Sequence, residues 1–232
     1  MGGLVSCGFT KQKRCELERQ KPILTQLAST ELLLIRHAPS LTSGCLAGRS
    51  DVPADCSDAR ALAALRAAIG SVNHRVMSPA RRCMETAAAL WPDMAAPETD
   101  ACLWEQDFGD WEGMATAGLP DLGTLAPDAL AILRPPGGES FSDLCGRAAP
   151  ALEALAARAG RVAVVAHSGL VRAALALALG TRNGALAFQV APLSLTRLTR
   201  FHGMGWSIDC VNWTVTDSGP TRHNLAPGGN AT

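Results

Sequence analysis

The chain of 232 residues carries no excess charge of either sign, because 21 Lys and Arg balance 21 Asp and Glu. Nothing in that balance favours nucleic acid or an anionic membrane surface as a partner. No apolar run approaches the ~18 residues a membrane span needs. Met1 to Gln20 is polar and charged, without the apolar stretch of a secretory leader. The expected location is therefore the cytoplasm. The eight cysteines include no C-x-x-C pair. Spread singly through a chain of this size, they read as small packed residues, and neither a disulfide framework nor a zinc site is expected. No internal repeat is visible.

What the chain does have is apolar residues, 47% of the total, enough for the core of one sizeable domain. Residues 1–29 are rich in charge and weak in periodicity, and are expected to form a flexible extension. Residues 214–232 have the Gly, Pro and Thr content of a disordered tail. The folded domain is expected over residues 30–213.

Two strings stand out: Leu32-Leu33-Leu34-Ile35-Arg36-His37 and Val162-Ala163-Val164-Val165-Ala166-His167. Each is a run of branched apolar residues that stops at a histidine, as a strand buried on both faces would. Between and after them the pattern alternates. A helix is expected from a Ser57 cap through Leu62, Leu65 and Ile69 to Gly70, followed by a strand at 74–77. A second helix is expected with Ser78 as cap and Pro79 at its first position. Residues 101–104 read as a strand and 112–138 as an irregular insert. Ser140 and Asp143 form a capping box for a helix with Phe141, Leu144, Ala148, Leu152 and Leu155 on one face. A further helix follows His167 and stops at Gly180, and 193–213 reads as a hairpin. Alternation of this kind gives an α/β fold: a three-layer α/β/α sandwich whose mostly parallel sheet ends in an antiparallel edge.

In such a sheet ligands sit beyond the carboxyl ends of the strands, so His37 and His167 can meet in one pocket. Arg36 precedes the first histidine. Arg81 falls at a helix start, where free N–H groups already favour an anion. Two guanidiniums, an imidazole and helix-terminal amides suit a dianionic phosphoryl group. His37 is then free to act as nucleophile through one ring nitrogen, with the proton on the other held by a backbone carbonyl. The leaving group needs an acid, and the stretch from Leu103 to Gly113 offers Glu105, Asp107, Asp110 and Glu112. Residue chemistry alone does not choose among them.

Five stretches together resemble the histidine phosphatase superfamily, in the branch that contains cofactor-dependent phosphoglycerate mutase. Leu34-Ile35-Arg36-His37-Ala38 is similar to its R-H-G motif, and Gly48-Arg49-Ser50-Asp51-Val52-Pro53 to its G-x-x-D-x-P loop. Ser78 to Ala87 resembles S-P-x-R-A-x-x-T-A, Leu103 to Glu112 resembles L-x-E-x-x-F-G-x-W-E, and Val165 to Gly169 resembles the second histidine motif. The resemblance implies a phosphohistidine on His37, with Arg36, Arg81 and His167 on the phosphoryl oxygens and Glu105 as proton donor. It places Gly48 and Arg49 at the entrance and the amide of Ser168 near phosphate. It implies no metal and no organic cofactor, a small phosphate monoester as partner, and a monomer or homodimer.

The departures from the family pattern are Ala38 for the usual glycine, Pro39 for the usual acid, a compact loop over 38–50, and a short insert over 112–138 with Arg134 as its one basic residue. A short insert favours hydrolysis over return of the phosphoryl group to product. These features are most like α-ribazole phosphatases of cobalamin assembly. α-Ribazole 5′-phosphate is thus the expected substrate, with a sugar phosphate or phosphoglycerate as the alternative. A non-catalytic phosphate-binding relative would have lost one of the five site residue types.

Overall fold

The computed structural model describes residues 28–42 and 44–215. The expected extension and tail lie outside these residues, apart from positions 28, 29, 214 and 215. The elements are β1 (Ser29–Arg36), α1 (Ala59–Ile69), β2 (His74–Met77), α2 (Arg81–Leu90), β3 (Glu98–Thr99), α3 (Pro127–Ile132), α4 (Phe141–Ala156), β4 (Gly160–Ala166), α5 (Ser168–Leu179), α6 (Arg182–Ala185), β5 (Leu195–Phe201) and β6 (Gly205–Trp213). Three short 3-10 turns occupy Ala101–Leu103, Gly109–Trp111 and Thr116–Gly118. No helix is long and apolar enough to cross a membrane among the described residues.

The strands form one six-stranded sheet in the order β3-β2-β4-β1-β5-β6. Contacts among β3, β2, β4 and β1 are parallel, whereas β5 is antiparallel to β1, and β6 to β5. The continuous apolar runs are explained by burial on both faces. Side chains alternate along a strand. Leu32, Leu34, Val162 and Val164 therefore join Leu144, Leu152 and Leu170 from α4 and α5 in one core. Leu33, Ile35, Ala163 and Val165 join Leu62, Leu65, Cys83 and Leu90 from α1 and α2 in the other.

Register sets the position of the site. Arg36 pairs with Ala166 across β1 and β4, so the next residue on each strand, His37 and His167, leaves the sheet at the same level. The His37 N–H continues the ladder to the Ala166 carbonyl at 2.9 Å.

Three local expectations are corrected. Helix α1 is capped by Asp58, whose side chain accepts from Ala61 N; Ser57 instead donates its amide to Asp55 Oδ1 at 2.9 Å. Helix α2 begins at Arg81, not at Pro79, because Ser78 is fully buried with its hydroxyl turned to His167 Nε2 at 2.8 Å. The Arg81 amide is instead accepted by Asp51 Oδ1 at 2.7 Å. Residues 101–104 are not a strand: Asp100 accepts from Cys102 N and closes a 3-10 turn, and the edge strand is the preceding Glu98–Thr99. The capping box of Ser140 and Asp143 is present at the start of α4.

Gly180 ends α5 in the left-handed conformation, φ 70°, and a Cβ there would meet nothing within 4 Å. Gly180→Ala should therefore cost only backbone strain, about 1 kcal/mol. Urea unfolding of the variant measures it; no loss would show that this turn is not constrained.

Candidate active site

His37 and His167 extend from neighbouring parallel strands and meet edge to face, ring centroids 5.2 Å apart at 67°. His37 is 4% exposed and His167 fully buried. The Nδ1 of His37 lies 2.6 Å from the Ala38 carbonyl. A carbonyl only accepts, so Nδ1 carries the proton and the Nε2 lone pair is bare. Arg82 Nε–H points at that lone pair from 3.3 Å. The Ala38 amide donates to Thr86 Oγ1 at 2.9 Å, which fixes the turn after the nucleophile candidate. Among the described residues, the non-glycine residues with positive φ are Leu193 and Asn212. The backbone at Ala38 thus has no need of glycine.

The second arginine of the cluster is Arg82, not Arg81. Arg82 is 1% exposed and shares the inward face of α2 with Cys83, Thr86, Ala87 and Leu90. Its NH1 donates to Ser50 O at 2.9 Å and its NH2 to Gly48 O at 2.6 Å. Arg81 points outward and pairs with Glu85 one turn on, at 2.7 Å. One helix position is a rotation of about 100°, so adjacent arginines cannot both face the histidines. The apolar spacing of Cys83, Ala87 and Leu90 is the sequence signal that would have picked Arg82.

Arg36 donates NH1 to the Val190 carbonyl at 2.5 Å, and its Nε is buried with no partner. Gly48, at φ 51°, has no room for a Cβ, which would lie 2.2 Å from Glu112 Oε1. Arg49 extends over Trp104, 5.9 Å from the ring centroid, and donates Nε to the Glu105 carbonyl at 3.1 Å.

Of the four candidate acids, Glu105 is the one turned to the cluster. It is 8% exposed, and its Oε2 accepts from Ser168 Oγ at 3.3 Å and Gly169 N at 3.2 Å. The N-terminus of α5, expected at phosphate, is thus engaged in part by Glu105. Asp107 closes a turn on Gly109 N, Asp110 is exposed, and Glu112 accepts from Arg49 N and Ser50 Oγ, both at 2.6 Å.

The sequence patterns place Ser78 only as a helix cap and Cys83 only as a small packed residue. Ser78 Oγ and Cys83 Sγ flank His167 Nε2 at 2.8 and 3.6 Å. The Trp104 ring lies parallel to His167, 6° and 6.2 Å away.

Burial pushes the His37 pKa down to about 3, and the Arg82 and Arg36 charges act in the same direction against the Ala38 hydrogen bond. Burial likewise holds His167 well below its ordinary value, with Arg82 next in effect. Both rings are therefore neutral at pH 7, among guanidiniums that stay charged. Between the ordinary value of 6.5 and about 3, the unfolded chain binds a proton at His37 that the folded chain does not. The stability is fully present above pH 6.5 and falls as the pH drops through that window. At pH 5 the loss from His37 is about 2 kcal/mol. Urea unfolding at pH 8 and pH 5 should show His37→Asn losing less on acidification by that amount; equal losses would place the imidazole in a solvated setting.

The arrangement brings two neutral imidazoles, buried cations and a carboxyl group into one cluster. No curated protein matches the chain. Among solved structures, Mycobacterial hydrolase 1 superposes with TM-score 0.71 at 25% identity, covering 81% of this chain and all of that one. The mycobacterial glucosyl-3-phosphoglycerate phosphatase with VO3 gives TM-score 0.68 at 27% identity, over 78% and 98% of the two chains. A protein from Escherichia coli K-12 assigned as an α-ribazole-5′-P phosphatase gives 0.68 at 20% identity, over 79% and 96%, a likeness of fold. The model of the histidine phosphatase superfamily, branch 1, matches residues 32–214. The chain, with its paired strand-end histidines, belongs to that superfamily and to its first branch.

Proposed function

We propose that the chain hydrolyses a phosphate monoester through a phosphohistidine on His37. The observation that carries this reading is the Nδ1–H of His37 on the Ala38 carbonyl, which leaves Nε2 as a neutral nucleophile. Nε2 attacks phosphorus and the ester P–O bond breaks. The departing alkoxide takes the proton of Glu105. In the second half Glu105 removes a proton from water, the water oxygen attacks phosphorus, and the P–N bond breaks to release phosphate and neutral His37. Arg36, Arg82 and His167 stabilise the phosphoryl oxygens, the main source of acceleration in such transfers. The buried, unpartnered Nε of Arg36 is a donor ready for one of them. Gly48, Arg49 and Ser168 hold the surrounding loop and helix end.

The substrate we propose is α-ribazole 5′-phosphate. The Arg36-His37-Ala38-Pro39 opening and the short insert support it. The one basic residue of that insert, Arg134, is an exposed side chain paired with Asp143 at 2.7 Å, and a lone guanidinium is a poor hold on a second phosphate, which favours hydrolysis. A sugar phosphate is the second reading, favoured by the 27% identity to a glucosyl-3-phosphoglycerate phosphatase.

Rapid quenching with a 32P-labelled ester should trap acid-labile phosphate on His37, and His37→Ala should abolish both label and turnover. Continued turnover with no label would end the covalent mechanism. Phosphate release across α-ribazole 5′-phosphate, sugar phosphates and phosphoglycerates should be fastest with the first; a clear preference for a sugar phosphate selects the second reading.

The two arginines separate in the same assay. Arg82→Met should lower kcat/KM by at least about 10²-fold, the scale for loss of an oxyanion donor. Arg81→Met should stay within about twofold, as for other exposed positions. The reverse order would place Arg81 on the phosphoryl group.

A further inference from the structure

Glu105 lies in a segment with no regular structure, residues 104–108, between two 3-10 turns. Neither a helix nor a strand holds its backbone, so something else must. Two residues of the α4 region do so. Arg147, on α4, donates NH1 to the Cys102 carbonyl at 2.8 Å and NH2 to the carbonyls of Trp104 and Glu105 at 3.2 and 3.3 Å. Glu139, just before the Ser140 cap, accepts from Asp107 N at 3.2 Å. Its main chain donates to Asp107 O at 2.7 Å and accepts from Gln106 Nε2 at 2.7 Å. Residues 102–105 are thus held by Arg147, and 106–107 by Glu139.

The two holders are joined to each other. Arg147 Nε and NH2 grip the two Glu139 carboxylate oxygens at 2.9 and 3.0 Å, a fork that fixes direction as well as distance. Both side chains are mostly buried, 22% and 20% exposed. Arg49 closes the far side, with NH2 3.6 Å from Glu139 Oε1 and Nε on the Glu105 carbonyl.

From this geometry we infer that the Glu139–Arg147 pair is a positioning device for the proton-donating carboxyl of Glu105, anchored on α4. The inference rests on the role proposed above for Glu105. Proton transfer to a leaving oxygen needs a heavy-atom distance of about 2.6–3.2 Å. A small shift in the 104–108 backbone would take the carboxyl out of that reach while leaving His37 and the arginines in place. The signature is therefore selective: a displaced acid harms esters whose alcohol needs a proton, and spares those whose leaving group departs as a stable anion. Lysine at 147 would supply its donors from a single point and could not hold all five acceptor oxygens.

The test measures kcat/KM for p-nitrophenyl phosphate and for glycerol phosphate in the wild type, Glu105→Gln, Arg147→Met, Arg147→Lys, Glu139→Gln and the Glu105→Gln/Arg147→Met double variant. Arg147→Met should lower activity on glycerol phosphate about tenfold more than on the nitrophenyl ester. Arg147→Lys should fall between, and Arg147→Met should add no further bias to Glu105→Gln. Glu139→Gln, which keeps the side-chain size, gives the same readout should Arg147→Met melt at the assay temperature. Equal losses on both esters in Arg147→Met, or a further bias added by Arg147→Met on the Glu105→Gln background, would overturn the inference. A bias in Glu105→Gln without one in Arg147→Met or Glu139→Gln removes the clamp alone. No bias in Glu105→Gln removes the acid assignment, and the clamp with it.

Discussion

A buried guanidinium that pairs with no carboxylate among the described residues lies against His37, and the surrounding loop is arranged to keep it there. Arg82 is held by the carbonyls of Gly48 and Ser50 and by the lone pair of His37. Taking a cation out of water is costly unless dipoles replace the lost solvation. Two carbonyls do this without cancelling the charge, so its field still reaches the pocket. The loop that supplies them is itself fixed by Glu112, which accepts from Arg49 N and Ser50 Oγ. Gly48 lets this carboxylate come close, since any side chain there would collide with it. The uncancelled charge adds to burial in keeping both imidazoles neutral. A protonated His37 would have no lone pair to offer.

Much of this was legible from the chain because it depends on short-range rules. Leu32–Ile35 and Val162–Ala166 could only be strands buried on both faces, and two histidines at their ends had to converge once the strands were paired in register. The capping box at Ser140 and the stop at Gly180 are likewise local. The start of α2 was not. Ser78-Pro79 is a good helix opening by local rules, but Ser78 is claimed by His167, 89 residues away, and the first amide of α2 by Asp51. A start two residues later at Arg81, with Arg82, Cys83 and Thr86 turned inward, moves the inward arginine from 81 to 82. A motif match shifted by one position has the same consequence as a strand slipped by one residue: the wrong side chain faces the site.

The choice among four carboxylates shows the same limit from another side. Glu105, Asp107, Asp110 and Glu112 lie within eight residues, and nothing local distinguishes them. Their partners do. Glu105 reaches α5 at Ser168 and Gly169, Glu112 reaches back to the 48–50 loop, and Asp107 closes its own turn. For Glu105 and Glu112 the role is set by segments dozens of residues away, whereas Asp107 bonds locally and Asp110 is exposed.

The Trp104 ring is engaged within the site, parallel to His167 and close to the guanidiniums of Arg49 and Arg82. It is packed into the cluster of histidines and arginines. The two segments in which this chain departs from the family pattern, 38–50 and 112–138, are bonded to each other. Leu46 N donates to Met114 O, Gly113 N to Leu46 O, and Cys45 bridges Ala115. The same 48–50 loop holds Arg82. A change in the insert that re-aimed the 45–50 segment would therefore also disturb the carbonyls that hold Arg82. Shortness in both segments at once is a consistent solution, because each limits how far the other can move.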